Sequence, residues 1–410
     1  MIIDFRKLVS ASLLPTAILL SLFILMPQLV KPLPNTARVI LPFLPYVIFL
    51  IGMGLSWIFH HSREFNLFLL FIIIYIALGN YVWSPDRTID NHLAYLLVVA
   101  LIPVNYLFNF LLKERGILNQ YGIRRIVFLA IQLFLIAWVL KHPYAPLKEL
   151  ITYTIVKNNL LNINVFSQPL LIGLAVTMLI LFIRLLQTSS TLVAGINASF
   201  IAITAAVYFA KQPQLSVLFL ISAGVIIIAA ITINAYSLAY LDELTNLPSR
   251  RALKQNISSL GRRYAIAMVD VDHFKKFNDK YGHDIGDQVL KKLASHLRLV
   301  RGGKAFRYGG EEFTLLFPNK DIYEARVFCE ELCKKVENSP FMLRNKKRPK
   351  KKPGESKSSF KQREAKPLKI TISIGLAERS DNISKAEDVI KQSDKALYKA
   401  KSNGRNQVAV

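Results

Sequence analysis

The residues with the clearest chemical potential are two pairs of carboxylates in the C-terminal part of the chain. Asp270 and Asp272 stand at the carboxyl end of an apolar run, and strand alternation puts both on one face. Glu311 and Glu312 directly follow Gly309-Gly310, which suits a tight hairpin turn. A hairpin beside the first strand would bring Glu311 opposite Asp270. We therefore expect exposed carboxylates that bind a divalent metal for phosphoryl transfer, because Mg²⁺ takes carboxylate and phosphate oxygens together.

Each pair alone also fits a simpler role, since aspartates at strand ends commonly cap turns. The surrounding segments favour the chemical role when they are read together. They are DELTNLPSRR at 242–251, DVDHFKKFND at 270–279, GHDIGD at 282–287, GGEEF at 309–313 and YKAKSNGRN at 398–406. In this order and spacing they resemble the GGDEF family of diguanylate cyclases, in its GGEEF variant, over essentially all of residues 240–410.

The resemblance implies a role for each acidic residue. Asp270, the carbonyl of Val271 and Glu311 would hold Mg²⁺ or Mn²⁺, two ions per active site, with Glu312 as a further ligand. Glu311 or Glu312 would accept a proton from the attacking hydroxyl and is therefore the expected catalytic residue.

The same resemblance implies a nucleotide site. Phe274 and Lys275 would meet the triphosphate, and Lys401 with Arg405 would neutralise its outer phosphates. Asn278 and Asp287 would read guanine; a carboxylate accepts from guanine N1–H and N2–H₂, whereas adenine lacks that donor pair. The list of expected substrate residues is Phe274, Lys275, Asn278, Asp287, Lys401 and Arg405, and the expected substrate is GTP.

The implied activity is a diguanylate cyclase that condenses two GTP into cyclic di-GMP and two pyrophosphates. Because two bound nucleotides must be aligned, the resemblance implies a homodimer. Many relatives carry an Arg-x-x-Asp product-inhibition site. Here those four positions are 300–303, read Val-Arg-Gly-Gly, so we expect no inhibitory site.

The elements that must position these residues follow from periodicity and turn signals. The pattern predicts a helix from Arg250, a strand at Tyr264–Val269 and then a loop that contains glycine. A helix at 285–300, capped by Asp284, is followed by a hairpin at 305–317 and a helix at 322–337. A strand at Lys369–Leu376 precedes the last helix, which begins with a Ser384/Glu387 capping box and ends near Gly404. This order predicts an α+β domain with a largely antiparallel sheet. The resemblance implies the nucleotidyl cyclase-like GGDEF fold with a ferredoxin-like core.

The N-terminal part has a different texture. Apolar runs at 8–29, 39–59, 65–84, 93–112, 126–140, 167–183, 191–210 and 214–238 predict about eight transmembrane helices in an all-α polytopic membrane region, 1–238, which we interpret as a sensor. Residues 239–249 would connect it to the cyclase domain, 250–410. Basic residues such as Arg63, Arg124 and Arg184 favour a cytoplasmic C-terminus. We expect a multi-pass protein of the bacterial inner membrane.

Part of the formal net charge of +25 lies in a basic insert at 344–367. Its composition predicts disorder. The insert is either a solvated surface loop or a segment attracted to anionic lipid headgroups. Nucleic-acid binding is not expected, since only Phe360 interrupts the charges as a stacking residue.

Two other classes of protein also fit parts of the sequence. One is a catalytically silent module that binds GTP or a dinucleotide, which intact Asp270, Glu311, Lys401 and Arg405 disfavour. The other is a transporter with an appended regulatory domain, which the scarcity of charges within the predicted spans disfavours.

Overall fold

The computed structural model describes residues 5–29, 34–83, 89–142, 153, 166–343, 366–381, 383 and 385–410. By contacts within the chain it divides into two compact units, Met1–Ala235 and Tyr236–Val410. The predicted basic insert lies almost wholly outside the described residues, and so does Ser384.

The described part of the first unit is helical, as its long apolar runs predict. Its helices are α1 (Phe5–Leu29), α2 (Asn35–Ile40), α3 (Leu44–Ile58), α4 (Ser62–Ala77), α5 (Ile89–Leu111), α6 (Gln120–Lys141), α7 (Gln168–Thr188), α8 (Thr191–Tyr208) and α9 (Pro213–Tyr240). A π-helical turn, Leu78–Val82, continues α4, and α9 runs past the boundary between the units.

Within the described residues, six helical segments are long and apolar enough to cross a membrane. They are Ser62–Val82, Leu93–Leu111, Gln120–Lys141, Gln168–Thr188, Thr191–Tyr208 and Pro213–Tyr240, and two shorter apolar segments are Ala11–Leu25 and Leu44–Ile58. These segments overlap the eight predicted spans. The count of eight transmembrane helices stays a prediction.

A buried arginine and a carboxylate join the ends of three of these helices. Arg125 in α6 is fully buried and donates to Ser62 Oγ at 2.6 Å and to the Leu112 carbonyl at 2.9 Å. Glu114 accepts from the backbone N–H groups of Ser62 at 2.8 Å and Arg63 at 3.1 Å. Because helix ends leave N–H and C=O groups unpaired, these contacts cap the start of α4 and the end of α5.

The second unit is an α+β domain. Its elements are α10 (Arg250–Ser258), β1 (Tyr264–Val271), α11 (Phe274–Tyr281), α12 (His283–Leu297), β2 (Lys304–Gly309), β3 (Glu312–Pro318), α13 (Ile322–Glu337), β4 (Phe341–Leu343), β5 (Lys366–Leu368), β6 (Ile372–Glu378), α14 (Ala386–Ser402) and β7 (Val408–Ala409).

The main sheet has the strand order β2-β3-β1-β6-β7, and its pairs are antiparallel except the parallel pair of β6 and β7. This is the predicted ferredoxin-like α+β core. The central strand β1 is buried on both faces because helices cover both sides. Its odd-numbered residues, such as Ala267 and Val269, join the larger core with α12 and α13. Its even-numbered residues Tyr264 and Ile266 join a smaller core with α10 and α14.

Three local predictions are wrong. Residues 274–281 form α11 instead of a loop. Asp284 lies in the first turn of α12 and does not cap it, because Gly282 at φ +85° separates α11 from α12 and the helix begins at His283. The insert is shorter than predicted at its end, since Lys366 and Pro367 pair with β4.

Candidate active site

Asp270 lies at the end of β1 on the face covered by α14. It is only 4 % exposed, so the prediction of an exposed carboxylate is wrong. Lys401, near the C-terminal end of α14, places Nζ 2.9 Å from Asp270 Oδ2. Burial raises the pKa of Asp270 even though Lys401 and Arg405 act to lower it. The site therefore disfavours the negative charge of this carboxylate even with Lys401 beside it.

The hairpin brings the two glutamates to the same place. Its register pairs Asp270 with Glu312, so the expectation that Glu311 stands directly opposite Asp270 is wrong by one residue. Gly310, at φ +48°, and Glu311 occupy the turn itself. Burial and the charge of Asp270 raise the pKa of both Glu311 and Glu312. Three carboxylates thus repel one another at one end of the sheet.

Asp272 has a different role from Asp270. Its carboxylate accepts hydrogen bonds from Thr371 Oγ1 at 2.7 Å, Ser373 Oγ at 2.6 Å and the backbone N–H of Asn406 at 3.1 Å. These three donors occupy much of the hydrogen-bonding capacity of the carboxylate. Since one of them belongs to Asn406, Asp272 orients the segment after α14 that carries Arg405. The alternation of hydroxyls in Thr371-Ile372-Ser373 was the sequence signal for this contact.

The start of α11 offers backbone donors beside these carboxylates. His273 takes a left-handed conformation at φ 57°, which turns the chain from β1 into the helix, and no side chain caps the helix start. Free N–H groups at a helix N-terminus suit phosphate oxygens. Phe274 is a buried residue at 6 % exposure, while Lys275 is exposed.

Asn278 and Asp287 lie on the facing helices α11 and α12. The Oδ1 atom of Asn278 is buried without a hydrogen-bond partner among the described residues. A Cβ atom added at Gly286 would lie 2.0 Å from that oxygen. Gly286 therefore allows the amide to sit against α12, one residue before the exposed Asp287. A buried unpaired amide oxygen is costly unless a ligand or water meets it.

Arg307 connects the segment before α10 to the hairpin turn, a contact that the sequence did not reveal. Its Nη1 donates to Asp242 Oδ1 at 2.7 Å and its Nη2 to the Gly310 carbonyl at 2.8 Å. Burial opposes ionisation of Asp242, but hydrogen bonds from Thr245 and Arg307 lower its pKa overall. The conformation of the turn therefore depends directly on the DELT segment at 242–245.

The predicted residues fall into two groups. Asp270, Glu311, Glu312, Lys401 and Arg405 act on one another electrostatically at one end of the sheet. Asn278 and Asp287 form the second group, on the helices that follow β1.

The oxygen donors fit a hard divalent cation. Asp270, the Val271 carbonyl and Glu311 offer oxygen ligands only, and the pKa of each carboxylate is raised, as expected where a cation should supply the missing charge. Among the described residues no three Asp, Glu, His or Cys side chains form a ready metal cluster. The predicted set, with two carboxylates and one carbonyl, does not require such a cluster.

The fold and site together define a ferredoxin-like α+β domain with carboxylates and basic side chains at one end of a largely antiparallel sheet. A family profile described as "Diguanylate cyclase, GGDEF domain" matches residues 239–354 and 351–407. Residues 239–407 of the chain therefore match a GGDEF domain.

Several relatives resemble the same part of the chain. The response regulator PleD of Caulobacter vibrioides is 33 % identical over 186 residues, which are 43 % of this chain and 37 % of PleD. The diguanylate cyclase VdcA of Vibrio cholerae is 38 % identical over 175 residues, 42 % of this chain and 46 % of VdcA. The chain thus spans less than half of the length of each of these two relatives.

Among solved structures, the coiled coil and GGDEF domain of DgcB from Caulobacter crescentus, in complex with c-di-GMP, is similar at 30 % identity. The match covers 46 % of this chain and 94 % of that chain, with a TM-score of 0.38.

Proposed function

We propose that the protein is a membrane-anchored diguanylate cyclase that condenses two GTP into cyclic di-GMP and two pyrophosphates. The observation that carries the proposal is the joining of Asp270, Glu311 and Glu312 with Lys401 at one end of the sheet of a GGDEF domain. The named relative VdcA is a diguanylate cyclase, which supports the same activity here.

The triphosphate would lie between the start of α11 and the end of α14. Backbone N–H groups at Phe274 and Lys275 would donate to phosphate oxygens, and Lys401 would exchange its contact with Asp270 for one with the outer phosphates. Arg405 would add a planar pair of donors. Because these groups hold phosphate charge, they would favour the departure of pyrophosphate.

Guanine would lie against α11 and α12. Asn278 would meet the base with its buried amide, and Asp287 would accept from N1–H and N2–H₂. This pairing favours GTP over ATP.

When bound, Mg²⁺ or Mn²⁺ would neutralise phosphate charge and lower the pKa of a coordinated hydroxyl. Asp270, the Val271 carbonyl and Glu311 would hold it, with Glu312 as a further ligand; two ions per site are expected. Glu311 or Glu312 would take the proton of the attacking 3′-hydroxyl. The raised pKa of each suits a proton acceptor.

Catalysis would need two copies of the chain, since each bound GTP would supply a 3′-hydroxyl to the α-phosphate of the other. The first unit would anchor the homodimer in the bacterial inner membrane with the cyclase domain in the cytoplasm. Six helices among the described residues are long and apolar enough to cross a membrane, which supports the anchoring. The basic insert would add attraction to anionic lipids of about 1 kcal/mol per basic residue near the surface. We expect no feedback through residues 300–303.

The test is to incubate the purified full-length protein with GTP or ATP over a Mg²⁺ series and to identify products by mass spectrometry. We expect cyclic di-GMP from GTP only, and a loss of at least about a hundredfold in rate for Asp270→Asn, which keeps the side-chain size but removes a charged ligand. Asp381→Asn, an exposed change elsewhere, is the control. Equal rates for Asp270→Asn and the unsubstituted protein would contradict the assignment of this site.

A further inference from the structure

A groove of about 530 Å³ lies in the second unit, apart from the carboxylate site. We call it the α10–α14 groove, because residues of α10, of α14 and of the sheet face between them line it. Its floor includes Leu253, Ile257, Tyr264 and Ile390. Tyr264 begins β1 and Asp270 lies six residues later, a separation of about 20 Å at roughly 3.3 Å per strand residue.

Four cationic side chains and one carboxylate line this groove: Arg250, Lys254, Arg379, Lys391 and Glu387. Among the residues that the structure describes, Lys254 has no ion-pair partner. Lys391 forms an ion pair with the exposed Asp388 at 3.4 Å, and Arg379 donates Nη1 to the Arg262 carbonyl at 3.0 Å. Cations that crowd a concave surface create a positive potential that attracts anions.

The combination of charge and apolar floor narrows the chemistry of the ligand. A bare phosphate would leave the floor of Leu253 and Ile257 uncovered, and a fatty acid would bring one charge to four cations. A nucleotide has both an apolar ring and several phosphate charges, and the groove volume is within the range of about 300–1,000 Å³ usual for small-molecule sites.

We propose that the α10–α14 groove is a second nucleotide site, which binds the phosphates of a purine nucleotide through Lys254, Lys391 and Arg379 with the base on the apolar floor. This site is separate from the proposed GTP site, and its existence does not depend on the cyclase activity.

The groove also reaches the hairpin that carries the glutamates. The guanidinium carbon of Arg250 lies 4.3 Å from the ring centroid of Tyr308, which directly precedes Gly309. Arg250 also acts electrostatically on Glu312. A nucleotide that draws Arg250 towards its phosphates would therefore change the surroundings of Tyr308 and Glu312, so the site could serve an effector.

Photoaffinity labelling of the full-length protein with 8-azido-ATP tests the proposal. The labelled peptides are mapped by mass spectrometry, which distinguishes label in the groove from label at the carboxylate site. We expect label within 250–264 or 386–391 or at Tyr308, displaced by unlabelled ATP. The double variant Lys254→Glu/Lys391→Glu should lower that label at least about tenfold, since contacts to charged groups are the strong ones.

Two comparisons make the result specific. Lys291→Glu changes an exposed lysine of α12, outside the groove lining, and should leave the labelling unchanged. Ser258→Trp should block the groove without changing its charge and should also abolish the label. Label confined to 270–287 or 398–406, or groove label that persists in the double lysine variant, would overturn the proposal.

Discussion

At the residue level, the burial of Asp270 and its contact with Lys401 together determine how the site responds to pH. Burial raises the pKa of Asp270, and Lys401 partly offsets that rise. The carboxylates must be ionised to hold a cation, so activity should fall as pH decreases through their raised pKa values. This loss should begin at a higher pH than for free carboxylic acids.

The substitution Lys401→Met should move this acid limb of kcat/KM to higher pH. The methionine removes the charge that lowers the pKa of Asp270, and it should also raise KM for GTP by about tenfold or more through the lost phosphate contact. Lys399→Met, an exposed change two residues earlier, is the control. An acid limb that stays in place in Lys401→Met would show that Asp270 does not limit activity.

The raised pKa values of the site carboxylates also predict that the stability of the protein depends on the metal. A carboxylate whose pKa is raised by folding contributes stability that is present below its unfolded pKa and lost as pH rises through its folded pKa. At neutral pH the carboxylates of the metal-free site therefore lower the free energy of unfolding. Mg²⁺ should raise the Tm of the full-length protein, and should do so much less in Glu311→Gln, because binding to the folded state alone stabilises it.

Gly286 controls the position of Asn278. Because an added Cβ would lie 2.0 Å from Asn278 Oδ1, Gly286→Ala should displace the amide. We expect KM for GTP to rise by roughly tenfold, with little change in the unfolding transition, since α12 itself accommodates alanine. Steady-state kinetics measures the effect, and an unchanged KM would show that Asn278 does not contact the base.

At the level of elements, α14 must approach the sheet closely for Lys401 to reach Asp270. A Cβ at Gly375 of β6 would lie 1.9 Å from the backbone nitrogen of Leu397 and 2.1 Å from the Ser393 carbonyl oxygen. Backbone atoms cannot yield as a side chain does. Gly375→Ala should therefore reduce the free energy of unfolding by about 3 kcal/mol and abolish activity.

The matched control is Gly261→Ala, because a Cβ there meets no atom within 4 Å. Denaturant unfolding of the two variants measures the difference. Equal stability for both would mean that α14 does not lie against β6 as the structure has it.

Much of the second unit could be predicted from the sequence because its signals are local. Gly309-Gly310 between two apolar runs predicts the β2–β3 hairpin, and the pattern of 322–337 predicts α13. The short helix α11 was missed because eight residues give too few turns for a periodic signal.

The finer geometry of the site could not be predicted because it depends on contacts distant in sequence. The pairing of Glu312 with Asp270 follows from the β1–β3 register, and a shift of one residue is invisible in the motif itself. Asp270 and Lys401 are 131 positions apart in the sequence, and only the packing of α14 on the sheet brings them into contact.

At the level of the whole molecule, the account requires two chains for each product. Specific activity should therefore fall as the protein is diluted through the dissociation range of its dimer, while GTP binding per chain stays constant. Activity at several detergent-solubilised protein concentrations, beside the mass of the particle, measures this. A specific activity that is independent of concentration in a monomeric sample would contradict the requirement for two sites.

The most direct test of the central claim is a single-turnover experiment with Mg²⁺ in which the full-length protein is saturated at one GTP per chain, so that both subunits of a dimer are loaded, beside Glu311→Ala. We predict one cyclic di-GMP and two pyrophosphates for every two GTP consumed, and GTP that remains intact in Glu311→Ala. GTP that binds to the unsubstituted protein and is recovered unchanged would contradict the claim and identify the domain as a silent nucleotide-binding module.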